Sequence, residues 1–377
     1  MALDEAPPFW WRKHSWQGYL LWPISHVYGR IAAKRMNMSP STKVNFPVIC
    51  VGNFVVGGAG KTPTVHMLAN YAKAQGYVPG ILSRGHGGAI TSATVVKPQK
   101  HNAHDVGDEA LLHAEIATTV ISPNRGAGAL LLVKEGCTLI LMDDGFQNPS
   151  LHKDFRLVLV DAKRGLGNGF TMPSGPMRVP FKEQLGKADA VFVTGIGDEA
   201  DSVIRMAARA GKPVFESNTR VIGGGHYKEQ EALAYAGIAD PGKFFNTLAG
   251  IGVKVKARQS FGDHHVFTEE ECADLINRSR KEKLTLFTTQ KDAARLKGMG
   301  EAQDKLLELS TIVSIELEPT NPSMLRRIFK LAEQNFMARK LPDVDPENDS
   351  DNDPENSKKE ADEKQLPQKD IPEKPIG

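Results

Sequence analysis

The apolar residues of this chain gather in short continuous runs, at 48–51, 78–82, 119–121, 138–142, 157–160 and 190–193, rather than alternating with polar ones. Between them lie stretches with helical spacing. Val65, Leu68, Ala69 and Ala72 recur on one face until Gly76 supplies a stop, and 109–116 and 127–134 are also compatible with helices. Continuous strands alternating with helices predict a mainly parallel sheet covered on both faces. A further run at 214–215 leads to Gly223-Gly224-Gly225, a break between domains. A smaller α/β set follows, with a strand at 233–235, a helix near 241–248 and strands at 253–255 and 284–287. Thr268 and Glu271 have capping-box spacing, so a helix carrying Leu275 and Ile276 starts there and Asp263-His264-His265 falls in the loop before it. The expected organisation is an N-terminal segment over 1–35, a main α/β domain over 36–222, a smaller α/β domain over 223–338 and a tail over 339–377.

The first 35 residues break the alternation. All four tryptophans (Trp10, Trp11, Trp16, Trp22) stand there among Phe9, Tyr19, Leu20, Leu21 and Ile24, followed by Arg30, Lys34 and Arg35. No window reaches the roughly 18–20 apolar residues of a membrane span. Arg12, Lys13 and His14 interrupt the start, and the apolar core and cleavage site of a secretory signal are missing. Two readings remain: an amphipathic segment lying on a membrane surface, or a helix that packs its aromatics onto the domain.

At 377 residues the chain is long enough for two domains. Its net charge of +2 conceals an asymmetry, because the segment from Leu341 onward holds twelve acidic residues against five lysines. That leaves 42 of the 47 basic and 33 of the 45 acidic residues in a basic body. The tail has almost no bulky apolar residues to repay the entropy of ordering, and is expected to be disordered. Cys50, Cys137 and Cys272 lack paired spacing, which favours buried reduced thiols and a reducing compartment, the cytoplasm.

Candidate chemistry concentrates where the predicted strands end. The first run leads into Phe54-Val55-Val56-Gly57-Gly58-Ala59-Gly60-Lys61-Thr62. Glycines that let backbone N–H groups close around phosphates, a lysine for the outer phosphates and a hydroxyl for magnesium are the parts of a phosphate-binding loop. The spacing is irregular, since Val55 occupies the position of the usual first glycine. Pro63 fits the first turn of the following helix. The run at 138–142 ends in Asp143-Asp144-Gly145-Phe146-Gln147, either a turn or the carboxylates that hold magnesium opposite the loop hydroxyl. Arg84 in Ser83-Arg84-Gly85-His86-Gly87-Gly88, Asp108 in Val106-Gly107-Asp108-Glu109 and Arg125 in Asn124-Arg125-Gly126 share the same predicted rim. Each is open to phosphate chemistry or to helix capping and surface charge. The proline-rich loop at 173–180 carries Arg178, available to an anion or to solvent. His264, beside Asp263, either orients a catalytic carboxylate or is a plain loop residue. The guanine-recognition pattern [Asn/Thr]-Lys-x-Asp is approached only by Gln290-Lys291-Asp292-Ala293, out of register, which leans toward an adenine nucleotide.

Taken in order, Val51-Gly52-Asn53 with 57–63, Ser83-Arg84-Gly85 to Gly88, 106–109, 143–147, 173–180 and 263–265 make the chain resemble the tetraacyldisaccharide 4'-kinase (lipid A 4'-kinase) family over about residues 10–335. The resemblance implies a P-loop kinase that uses ATP and Mg²⁺. It would transfer the γ-phosphoryl group to the 4'-hydroxyl of a tetraacylated glucosamine disaccharide 1-phosphate, forming lipid IVA in lipid A biosynthesis. It implies a peripheral position on the cytoplasmic face of the bacterial inner membrane, with no nucleic acid and no obligate protein partner. By position, Asp108 would be the base accepting the sugar proton, His264 its partner and Lys61 the phosphate lysine. Thr62, Asp143 and Asp144 would organise the metal. Val55, Val56, Gly57, Gly58, Ala59, Gly60, Arg84, Arg125 and Gln147 would line the nucleotide. Asn148, Val179 and His86 stand where the family usually has histidine, glutamate and tyrosine. The alternative is a P-loop NTPase acting as a membrane-recruited switch or assembly factor, which needs no acid/base pair beside the γ-phosphate.

Overall fold

In the computed structural model, which describes residues 6–340, the apolar runs become strands of two sheets. The strands are β1 (Val48–Asn53), β2 (Pro79–Ser83), β3 (Thr94–Val95), β4 (Thr118–Ile121), β5 (Leu139–Asp143), β6 (Phe155–Asp161), β7 (Ala190–Thr194), β8 (Val214–Val221), β9 (Glu231–Ala236), β10 (Lys254–Ser260), β11 (Thr285–Thr289), β12 (Ser310–Val313) and β13 (Ile315–Pro319). The helices are α1 (Trp16–Met36), α2 (Lys61–Ala74), α3 (Ala103–Val106), α4 (Asp108–Ile116), α5 (Arg125–Lys134), α6 (Phe181–Lys187), α7 (Asp201–Arg209), α8 (Pro241–Gly250), α9 (Glu269–Glu282), α10 (Gln290–Leu296), α11 (Glu301–Leu309) and α12 (Ser323–Lys340).

The larger sheet has nine strands in the order β13-β8-β7-β6-β1-β5-β2-β4-β3, parallel except for its two edge pairs. β1 shows why the runs are unbroken. Val48 and Cys50 enter one core with Ala129 and Leu132 of α5, while Ile49 and Val51 enter the opposite core with Val65 and Leu68 of α2. Side chains on a strand alternate between faces, so two covered faces demand apolar residues at every position. Cys50, Cys137 and Cys272 are all buried and unpaired.

The smaller sheet, β10-β9-β11-β12, is wholly parallel. The break near Gly223 lies between β8 and β9, but the chain afterwards returns to the larger sheet. β13 pairs antiparallel with β8, Ile315 opposite Val221, and α12 buries Met324, Ile328 and Phe329 on the core beneath α2. The second sheet is thus inserted between β8 and β13 rather than appended as 223–338. The capping box is formed: the Thr268 hydroxyl accepts the Glu271 N–H, and Glu271 accepts the Thr268 N–H, at the start of α9.

Helix α1 is inverted relative to an ordinary surface helix. Gly18, Ser25, Gly29 and Met36 form its buried side. Ser25 donates to the Thr171 carbonyl at 2.6 Å, and Ser174 donates to the Gly18 carbonyl at 2.9 Å. A side chain at Gly29 would meet Pro180 at 3.2 Å, so small residues permit this close seat on the 173–180 loop. The bulky side faces out: Trp16 is 70 % exposed, Leu20 68 % and Ile31 65 %, with Tyr19, Trp22, Ile24 and Val27 also exposed. Trp10 and Trp11 differ, being half-buried, with the Trp10 indole N–H on the Pro173 carbonyl. The four tryptophans therefore serve two ends, anchoring and exposure. None of the described helices is long and apolar enough to cross a membrane. Residues 1–5 and the acidic tail from Leu341 lie outside the described residues.

Candidate active site

Because β1, β2, β5, β6 and β7 run parallel, their following loops all emerge at one edge, where ligands of open α/β sheets bind. A cavity of about 1080 Å³ opens there. The loop after β1 is fixed from several sides. Asn53 donates to the Gly57 carbonyl at 3.0 Å, Thr194 donates to the Ala59 carbonyl at 3.0 Å, and the Val56 N–H reaches the Pro176 carbonyl at 2.9 Å. Gly60 sits at φ +84°, a left-handed conformation that turns the chain into α2 so that Lys61 and Thr62 open the helix. Gly57, Gly58, Gly60, Lys61 and Thr62 line the cavity, with Val56 beside them. Val55 is buried, bridged to Met177, and Ala59 is buried beneath the loop.

The end of β5 supplies two carboxylates in different settings. Asp144 has φ +47° and pairs with Arg178, whose two terminal nitrogens lie 2.8 and 3.1 Å from its oxygens; Lys61 Nζ is 3.9 Å away. Burial alone would raise its pKa, but Lys61 and then Arg178 outweigh it and hold the carboxyl at about 2. Asp143 is 1 % exposed; its Oδ2 lies 3.0 Å from His113 Nε2 and its Oδ1 has no partner. The turn continues through Phe146, which packs where a Cβ on Gly52 would lie only 2.4 Å away, explaining the glycine in β1. Gln147 lines the cavity and donates to the Asn53 carbonyl at 2.9 Å, bracing the phosphate loop. Arg84 lines it exposed; Arg125 lines it buried, donating to the Ser122 carbonyl at 2.7 Å with its Nε unpartnered.

Where α4 meets the second sheet, another cluster forms beside the same cavity. Asp108 opens α4, 4 % exposed, and its Oδ2 accepts Arg295 Nε at 2.8 Å and Nη2 at 2.5 Å. His264 Nδ1, on the loop before α9, is 3.5 Å from the same oxygen. Burial works against ionisation of Asp108, but the His264 hydrogen bond and the Arg295 charge prevail and depress its pKa well below the usual carboxylate range. The same hydrogen bond raises the pKa of His264. Beside them Lys291 pairs with Glu109 at 2.5 Å. Burial, opposed more strongly by Lys291 and Lys61, leaves Glu109 at about 2. Arg164–Asp240 at 2.8 Å and Lys243–Asp161 at 3.0 Å tie the two sheets at another point of the cavity wall.

Thus Lys61, Thr62, Asp143 and Asp144 gather in one group, and Asp108 and His264 meet in another. Sequence reasoning missed Arg295, Lys291, His66 and His113. The string Gln290-Lys291-Asp292-Ala293 approaches the guanine pattern only out of register. Its lysine is the partner of Glu109, and its aspartate accepts the Gly237 N–H at 3.0 Å. His113, behind Leu111-Leu112 in α4, offered one signal: a polar ring within an otherwise apolar stripe.

The profile of the Tetraacyldisaccharide-1-P 4'-kinase family matches residues 17–333. A tetraacyldisaccharide 4'-kinase of Rhizobium etli is 48 % identical over 315 residues, 84 % of this chain and 91 % of the relative. One from Rhizobium meliloti is 48 % identical over 340 residues, 90 % of this chain and 98 % of its own length. The crystal structure of the "apo" form of LpxK from Aquifex aeolicus in complex with ATP is similar at TM-score 0.66 and 27 % identity, covering 85 % of this chain and 99 % of that one. With a phosphate-type loop and His264, the partner of buried Asp108, lining one cavity, and with these similarities spanning most of its length, the chain belongs to the tetraacyldisaccharide 4'-kinase family.

Proposed function

We propose that the cavity binds Mg·ATP against the loop at 57–62 and transfers the γ-phosphoryl group to the 4'-hydroxyl of a tetraacylated glucosamine disaccharide 1-phosphate, giving lipid IVA. The observation that carries this is the meeting of Asp108 and His264 beside a cavity that Lys61 and Thr62 also line. A switch protein needs the loop but not that pair. In this reading backbone N–H groups of residues 57–60 and the Lys61 ammonium hold the phosphates, and Arg84, Arg125 and Gln147 border them; the Val56 N–H already donates to the Pro176 carbonyl. Thr62, Asp143 and Asp144 hold the magnesium, which neutralises phosphate charge. Among the described residues no cluster of three or more His, Cys, Asp or Glu forms a cage. That suits Mg²⁺, which takes one or two carboxylates and completes its shell with phosphates and water. The buried, unpartnered Oδ1 of Asp143 is a fitting donor.

Asp108 accepts the sugar hydroxyl proton as the phosphorus–oxygen bond forms, and His264 orients it. A carboxylate held so far toward its ionised form is a weak base, consistent with late proton transfer in a loose transition state, where positioning and charge neutralisation dominate. Tyr28, Ile31 and Ala32 of α1 line the same cavity, so the exposed aromatic side of α1 is continuous with the reaction chamber. An acceptor whose acyl chains stay in a bilayer is met by that side lying on the cytoplasmic face of the inner membrane, with Arg30, Lys34 and Arg35 near anionic headgroups. The test presents the disaccharide 1-phosphate in vesicles with Mg·ATP. Asp108→Ala should lose roughly 10²–10⁴-fold in phosphorylated lipid while retaining ATP affinity, and wild-type turnover would remove Asp108 from the chemistry. Leu20→Glu with Ile31→Glu should weaken sedimentation with the same vesicles; unchanged partitioning would separate α1 from the membrane.

A further inference from the structure

His66, His113 and Asp143 form a hydrogen-bonded chain beneath the phosphate loop. His66 Nε2 lies 3.1 Å from His113 Nδ1, and His113 Nε2 lies 3.0 Å from Asp143 Oδ2. His66 belongs to α2, five residues past Lys61; His113 belongs to α4, five residues past Asp108, and the two helices pack together. His66 and Asp143 line the cavity, whereas the His113 side chain has no exposed surface and lies behind them.

The chemistry of the groups fixes the direction of the chain. An ionised carboxylate only accepts, so His113 donates through Nε2–H. In the single-donor tautomer of His113 its Nδ1 is an acceptor, and His66 donates to it through its Nε2–H. Burial holds the His66 pKa down at about 3, consistent with a neutral ring that keeps its Nε2–H. The result occupies Asp143 Oδ2 and leaves Oδ1 buried and unpaired at the end of β5. A buried carboxylate oxygen without a partner is costly unless a ligand satisfies it.

We infer that His113 is a positioning residue which, with its tautomer set by His66, holds the Asp143 carboxylate so that Oδ1 is presented to the metal of Mg·ATP. This rests on the assignment of Asp143 to the magnesium side of the site. Imidazole donors behind metal-binding carboxylates fix their orientation, and losing such an outer partner typically costs ~10–100-fold in metal affinity or activity.

The experiment compares His113→Leu, His113→Gln, His66→Leu and Asp143→Asn in the full chain. It measures ATP affinity by calorimetry with Mg²⁺ and with the metal chelated, and the electron paramagnetic resonance of Mn²⁺·ATP on the protein. Glutamine can offer an amide N–H to Asp143 and a carbonyl to His66, so it retains both bonds; leucine retains neither. His113→Leu should weaken Mg²⁺-dependent ATP binding by ~10–100-fold, alter the Mn²⁺ spectrum and leave metal-free ATP affinity unchanged. His113→Gln should recover most of the loss, and His66→Leu should give a smaller one. If Asp143→Asn is damaged while a folded His113→Leu is not, the positioning role is overturned and the assignment of Asp143 stands. If Asp143→Asn itself binds Mg·ATP normally, that assignment fails. Equal losses with and without metal in His113→Leu would mean packing alone and overturn the inference. Should His113→Leu fail to fold, the contrast between His113→Gln and His66→Leu decides it, with identical wild-type behaviour in both counting against the chain.

Discussion

The two groups of site residues, a strand-end side and an inter-sheet side, are assembled in different ways. Lys61, Thr62, Asp143 and Asp144 sit at adjoining strand ends of a single sheet, where the pairing of β1 with β5 puts Val51 opposite Asp143 and fixes their relation. Asp108, His264 and Arg295 come from α4, a loop and α10, and two of the three belong to the sheet inserted between β8 and β13. The first side is a property of the sheet itself. The second exists only when the two sheets are correctly packed, because its closest contact, Arg295 with Asp108, joins residues 187 positions apart. The strand-end edge can thus be set by one sheet while the Asp108–His264 pair beside it depends on how the insertion is held.

The largest separation between the two sides should come from Lys61→Ala. Lys61 is half-buried, faces the cavity and lies 3.9 Å from Asp144, which keeps its bidentate pair with Arg178 when Lys61 is removed. Removing a preorganised charge that meets transferring phosphate oxygens costs roughly 10²–10³ in kcat. Steady-state phosphorylation should show that loss while the denaturation midpoint moves by far less, because Arg178 and Lys291 still pair with Asp144 and Glu109. A matching fall in stability would erase the distinction between a chemical side and a structural one.

How much of this was legible in the sequence follows the same division. The phosphate loop, Asp143-Asp144 and the capping box at Thr268 are local patterns whose residues are near one another in the chain, and each lies where the pattern places it. The runs that became β1, β5, β6 and β7 were visible because both sheet faces are covered. Short or half-exposed elements were not: β13 shows no continuous apolar run, and its pairing with β8 spans nearly a hundred residues. Arg295 and Lys291 read as ordinary charges on a polar helix, since nothing nearby announces partners on α4. Crowding of aromatics marked α1 as unusual, but periodicity alone could not say which side faced the body. That was decided by Gly18, Ser25 and Gly29, whose smallness allows contact with the 173–180 loop.

Arg295→Leu probes the catalytic side with an intermediate effect. Arg295 is 7 % exposed and also donates to the Gly237 carbonyl and to Asp292 at 3.0 Å, so its loss leaves buried carboxylates uncompensated. Breaking a buried pair from one end costs about 3 kcal/mol, whereas replacing both members by apolar groups of similar volume is often close to neutral. Urea denaturation should show that loss for Arg295→Leu and a partial recovery in Arg295→Leu with Asp108→Leu. Additive losses in the double variant would mean that the two residues stabilise the packed sheets independently.

The smallest effect sharpens the comparison within the catalytic pair. Hydrogen bonding to Asp108, and its negative charge, raise the His264 pKa against the opposing effects of burial and Arg295; Asp263 adds a further raising charge. In Asp108→Asn the raising carboxylate is gone while Arg295 remains 3.5 Å from the ring, so the His264 resonance should titrate at lower pH by NMR. Because the folded-state pKa of this histidine is raised, its share of stability is fully present below the unfolded value of about 6.5 and is lost as pH rises through the folded value. The carboxylate's own share, from a depressed pKa, persists above the ordinary range near 4 and disappears only as pH falls through the depressed value. Wild type should therefore gain most over Asp108→Asn between about pH 4 and 6.5, with the advantage shrinking toward alkaline pH. A His264 titration that does not move in Asp108→Asn would show that the pair is merely adjacent, and that the cations Arg295 and Lys291 set the state of Asp108.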